Sequence, residues 1–98
     1  MAFVRIGRFT AQADKIDELC QIYERDAIPA IRAAEGNISA ALLQREDAAD
    51  TFLAVTVWRS RDDAELYDRS GQAQQMVGKI KHAFAGPPVL ETYAAYGI

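Results

Sequence analysis

The segment FLAVTVWRS, Phe52 to Ser60, carries apolar residues on both of the faces that an extended chain presents. Phe52, Ala54, Thr56 and Trp58 alternate with Leu53, Val55, Val57 and Arg59, and side chains two apart share one face of a strand. A strand that is apolar on both sides needs a cover on each. Directly after it comes Ser60-Arg61-Asp62-Asp63, a serine three residues before an acid. That is the pattern of a capping box, and the clustered acids suit the positive end of a helix dipole. The segment predicts a strand that leads straight into a helix.

Outward from this junction the chain alternates in the same manner. Ile38 to Arg45 reads as a strand joined to Thr51–Arg59 by the polar residues Glu46 to Asp50, a hairpin loop between antiparallel neighbours. From Asp14 to Ala34, residues Ile16, Leu19, Cys20, Tyr23, Ala27, Ala30 and Ile31 fall on one stripe at roughly 100° per residue, which predicts an amphipathic helix. Pro29 should kink or loosen its last turns, and Gly36-Asn37 should stop it. Phe3, Val4, Ile6 and Phe9 predict a first strand. After Ser60, Leu66, Ala73, Met76, Val77, Ile80 and Phe84 line one side of a second helix that Ser70-Gly71 interrupts. Gly86-Pro87-Pro88 breaks the pattern, and Val89 to Tyr96 reads as a last strand.

The order strand, helix, strand, strand, helix, strand predicts an α+β protein: a ferredoxin-like βαββαβ fold with two helices on one face of a four-stranded antiparallel sheet. Residues 1–98 make one domain. The helices cover one face only, so the apolar second face implies a homodimer in which two sheets pack face to face.

Composition narrows the function. The net charge is −3, and the eleven Lys and Arg residues are scattered among acids, so nucleic acid is not an expected partner. No apolar run approaches the ~20 residues of a membrane span, and MAFVRIGRFT lacks the layout of a signal peptide. With a single cysteine, Cys20, the expectation is a cytoplasmic protein without a disulfide. Cys20 falls on an apolar helix face and reads as an inert thiol. One histidine, His82, and no carboxylate cluster at ligand spacing give no metal site. Phosphate-binding glycine motifs are absent, so no nucleotide cofactor is expected. Asp62-Asp63 and Asp17-Glu18 read as capping and solvated acids, and Ser39, Ser60 and Ser70 have no histidine to activate them.

The stretch VTVWRSRDDAELYDRSG, Val55 to Gly71, with Glu35-Gly36 closing the first helix, resembles the antibiotic biosynthesis monooxygenase family of dimeric α/β barrels. Trp58 at the strand end, followed by Ser60, Ala64 and Tyr67, carries most of the likeness. The resemblance implies a pocket between the sheet and the helices of each protomer. It includes enzymes that oxidise quinols or polyketide phenols with molecular oxygen and no cofactor, and others that degrade haem. The haem-degrading members' asparagine, tryptophan and histidine correspond to Gly7, Tyr67 and Val77, which offer iron no nitrogen ligand.

The expected function is therefore cofactor-independent oxidation of a small hydroxylated aromatic. Pocket candidates are Trp58, Tyr67, Tyr23 and Tyr93, flat side chains with polar handles, and Arg5, which, like Arg59, would stabilise a phenolic anion if it points inward. No general base stands out. Two alternatives stay open: non-oxidative binding or isomerisation of a small metabolite, and a dimer with a filled core and no catalytic role. The small residues Ala40, Ala41, Ala54 and Ala64 fit either tight packing or a cavity.

Overall fold

A computed structural model describes all residues 1–98. Strand β1 (Ala2–Thr10) is followed by helices α1 (Ile16–Ile22) and α2 (Ile28–Arg32), which form one continuous helix through a π-helical turn at Tyr23–Ala27. Strands β2 (Asn37–Arg45) and β3 (Ala48–Trp58) come next, then helices α3 (Arg61–Arg69) and α4 (Gln72–Ile80), and finally strand β4 (Val89–Ala95). The sheet is antiparallel in the order β2-β3-β1-β4, the ferredoxin-like arrangement.

Register decides which residues meet the helices. Phe3, Arg5, Gly7 and Phe9 of β1 pair with Trp58, Thr56, Ala54 and Phe52 of β3. Phe3, Phe9, Phe52 and Trp58 form one buried cluster with Ala40 of β2 and the helical residues Leu19, Tyr23, Ala27, Ile31, Ala64, Tyr67 and Ile80. On the opposite face, Val4 and Ile6 pair with Val57 and Val55, while Leu43, Val89 and Tyr93 are exposed. The sheet is thus apolar on both sides, and only one side packs against helices.

The first helix differs from a regular one in an instructive way. Its buried residues Leu19, Tyr23, Ala27 and Ile31 are each four apart, and at 100° per residue such a row drifts by about 40° per step. Pro29 has no N–H to donate, and the turn before it widens so that the Ile28 N–H reaches back five residues to the Tyr23 carbonyl. The wider turn keeps Tyr23 and Ala27 in line. The helix also starts two residues later than Asp14, because Lys15 N–H closes a turn onto the Gln12 carbonyl.

The hairpin loop and the buried stripe of the second helix both differ from expectation. The five-residue loop Glu46–Asp50 shrinks to Glu46-Asp47, since Ala48 pairs with Arg45 and the Asp50 carbonyl accepts from Ala11 N–H at 2.8 Å. Leu66, placed on the buried stripe by sequence, is 51% exposed, and Tyr67 takes the buried position. The cause is Gly71, whose φ of 85° ends α3 and starts α4 in a new phase, so a stripe drawn through both helices misplaces the first. Val77, also placed on that stripe, is 45% exposed.

The junction after β3 is built as its sequence predicts. Ser60 is extended, its hydroxyl accepts from Asp63 N–H at 3.2 Å, and the Asp63 carboxylate accepts from the same hydroxyl at 3.1 Å. Gly36 at φ 81° lets the chain pass this cap, and its carbonyl accepts from Arg59 N–H at 2.8 Å. A Cβ at Gly36 would overlap the Asp63 carboxyl group.

Candidate functional site

Between the helix-facing side of the sheet and the helices lies a cavity of about 380 Å³. Its depth comes from the sheet, where Gly7 and Ala54 sit side by side in register and both line the space. A methyl group at Gly7 would touch only the Ala54 Cβ, at 3.9 Å. The small residues therefore divide into two roles: Ala40 and Ala64 are 1% and 0% exposed and serve close packing, whereas Ala54 leaves room. The interior is not filled.

Four of the five pocket candidates meet at this cavity. Trp58 from β3, Tyr67 from α3, Tyr23 from the π-helical turn and Arg5 from β1 all line it. Tyr93 does not. Strand alternation puts it on the other face of the sheet, paired with Val4, where the Glu91 carboxylate accepts its hydroxyl and pushes its pKa up.

The aromatic wall is fixed from below. The Trp58 and Tyr67 rings pack at 5.5 Å between centroids, tilted by 37°. Trp58 Nε1 donates to the Thr56 hydroxyl at 2.9 Å, which satisfies the only polar atom of a side chain that is 1% exposed. The Tyr67 hydroxyl is buried and has no partner within the fold. Burial, with a smaller push from the Asp68 carboxylate, raises its pKa. Burial and then the neighbouring Tyr67 push Tyr23 up to about 12. Both phenols are neutral hydrogen-bonding groups at physiological pH, which excludes them as ready bases.

Charge enters the cavity at one place. Arg5 donates from Nη1 to Asp68 Oδ1 at 2.7 Å, and its Nε is buried without a partner. Arg59 does not reach inward; it is turned to Glu35 and Asp63 outside the cavity. Asp68 is the lining residue that sequence reasoning missed. Its signal lay in the spacing of α3: once Ser60 fixes the helix start, Ala64 and Asp68 stand four apart on one face, beside Tyr67.

Other reactive groups lie elsewhere. Cys20 is half-buried outside the cavity, and burial, followed by Asp17 and Glu24, raises its pKa and keeps it a thiol. His82 faces Glu18 at 3.3 Å on an exposed surface. No three His, Cys, Asp or Glu side chains converge to form a metal site. Gly7, Tyr67 and Val77 all line the cavity, and none brings a nitrogen ligand to it. No helix is long and apolar enough to cross a membrane.

Solved structures share this architecture at low sequence identity. A candidate antibiotic biosynthesis monooxygenase from Nitrosomonas europaea superposes with a TM-score of 0.89 at 18% identity, covering 98% of this chain and 91% of that one. A protein from Mycobacterium tuberculosis superposes with a TM-score of 0.84 at 18% identity, over 100% and 98% of the two chains. A conserved protein from Methanosarcina mazei Go1 gives 0.87 at 13% identity, over 95% and 91%. At such identities the likeness establishes the fold. No functionally curated protein matches the chain. The family model for antibiotic biosynthesis monooxygenase matches residues 2–79, from the first strand into α4. The chain belongs to the antibiotic biosynthesis monooxygenase family.

Proposed function

We propose that this protein is a cofactor-independent monooxygenase that oxidises a small hydroxylated aromatic, a quinol or polyketide phenol, with molecular oxygen. The observation that supports this reading is the cavity itself: about 380 Å³, walled by Trp58, Tyr67 and Tyr23, with Arg5 and Asp68 as its only charged residues. That volume lies in the range of small-molecule sites, and flat walls with few polar handles suit a planar ligand. Such an oxidation needs removal of a phenolic proton, transfer of an electron to oxygen, and a dry site that protects the intermediates. Arg5 supplies the cation beside the developing charge.

The protein acts in this proposal as a cytoplasmic homodimer. The motivating feature is the sheet face bearing Val4, Ile6, Leu53 and Val55, which no helix of the chain covers. A second copy buries it. Light scattering in dilute buffer is expected to give twice the chain mass, and a monomeric mass would contradict the dimer.

The activity is tested by mixing metal-stripped protein with a panel of hydroquinones and following oxygen consumption. Uptake above the autoxidation rate is expected. Uptake at the autoxidation rate only, with binding retained, would replace oxidation by the binding or isomerising role.

A further inference from the structure

We propose that Asp68 receives the hydroxyl proton of the substrate and that Arg5 holds Asp68 in position to do so. The proposal rests on the phenol-oxidising reading above and adds the proton acceptor that the aromatic residues cannot supply.

Arg5 and Asp68 are the only charged residues that line the cavity, and they are paired with each other. Their side chains are 17% and 39% exposed, so the pair sits at the boundary between the interior and water. The ion pair leaves the site with no net charge. An apolar cavity with a neutral pair favours an uncharged hydroxyl over a ready-made anion, which would need an uncompensated cation. A hydroxyl can both donate and accept, and the pair offers both functions side by side. The 2.7 Å bond from Arg5 Nη1 uses one of the two carboxylate oxygens and leaves other N–H groups at the guanidinium tip free to donate. A substrate hydroxyl that donates to Asp68 and accepts from Arg5 completes the set.

A resting phenol, with a pKa of about 10, is a weak acid and does not protonate a carboxylate on its own. Loss of an electron from the ring changes that, because the oxidised phenol is a strong acid. In the step proposed, one electron passes from the phenol to molecular oxygen while the O–H bond breaks and its proton forms a bond to Asp68. The products are a neutral phenoxyl radical, superoxide and the protonated carboxyl group. One negative charge stands on each side, on the carboxylate before the step and on superoxide after it.

Asp68→Asn tests the assignment, because its amide oxygen can still accept from Arg5 while an NH₂ group replaces the proton-accepting oxygen. Hydroquinone and its dimethyl ether, which has no O–H, serve as probes, and quenching of Trp58 fluorescence reports binding. The native protein is expected to bind hydroquinone at least about tenfold tighter than the ether, a difference of ~1.4 kcal/mol. Asp68→Asn should lose that preference and lower kcat for oxygen uptake by about a hundredfold or more, with Asp68→Glu restoring part of both. An Asp68→Asn protein that keeps the preference and the rate overturns the proposal. So does native protein that binds the ether as well as hydroquinone, a comparison that needs no variant to fold. If Asp68→Asn loses the preference but the native protein takes up no oxygen, Asp68 binds the hydroxyl, while the oxidation reading and the proton transfer that rests on it both fail.

Discussion

Gly7→Ala tests whether the cavity is spare volume held open for a ligand. Gly7 lies in β1 on the helix-facing side, its backbone is not in the left-handed region, and an added Cβ would meet only the Ala54 Cβ at 3.9 Å. Ordinary van der Waals contact costs nothing, so two favourable terms remain. Replacing glycine by alanine where the backbone permits it stabilises by about 0.4–1 kcal/mol through the unfolded chain, and a fully buried methylene adds up to about 0.8 kcal/mol. The methyl borders a cavity and touches protein on one side only, so the net expectation is about 1 kcal/mol. For a domain of this size that raises the melting temperature by about 4–8 °C. Thermal unfolding at matched protein concentration, followed by Trp58 fluorescence, reads it. The same methyl narrows the floor on which a planar ring would rest, and crowding of about 1 kcal/mol weakens hydroquinone binding roughly fivefold. A less stable variant would refute the open floor. A more stable variant with unchanged hydroquinone binding would show that the ligand does not sit there.

Gly36→Ala combines a positive φ with overlap on Asp63, so it should destabilise by about 2 kcal/mol or more and lower the urea midpoint with an unchanged slope. Thr56→Val keeps the shape but leaves Trp58 Nε1 buried without its acceptor, an expected loss of about 1–3 kcal/mol by the same measurement; equal stability would remove Thr56 from that role. Alkali acts through Tyr23, whose pKa rises from 10.0 to about 12 on folding. The folded state favours the neutral phenol, so the contribution is complete below pH 10 and is lost as the pH climbs toward 12. About 2–3 kcal/mol disappears over that interval. Tyr23→Phe should flatten the decline, leaving the part due to Tyr67, and an unaltered profile would contradict the assignment.

How much of this was legible in the sequence varies with the length scale of its cause. The strand from Phe52 to Trp58 and the cap at Ser60 rest on alternation and on a contact three residues away, and both are found where they were expected. The buried positions of α3 depended on whether Gly71 starts a new helical phase, which periodicity alone does not register, and Leu66 was misplaced for that reason. Tyr93 has the chemistry of a pocket residue but not its face, because Leu90, three positions before it in β4, lines the cavity and the two-residue period turns Tyr93 to the other side. The spacing from Ala64 offers Asp68 to the cavity face, but its pairing with Arg5, 63 positions earlier in the chain, is a property of the fold. The space above Gly7 and Ala54 is likewise a property of two strands in register.

The π-helical turn bears on which changes of length the first helix can absorb. A bond that spans five residues holds one more residue than an α-helical turn needs. Removing one residue from Glu24–Asp26, together with Pro29→Ala, lets the turn relax to the α form while Leu19 and Ile31 still point at the sheet. A deletion between Ile28 and Ile31 has no such slack, and it swings Ile31 by about 100° away from the core. The helix thus keeps its spare residue beside Tyr23, at the wall of the cavity, where a relative of different length could reshape the pocket and leave the fold intact.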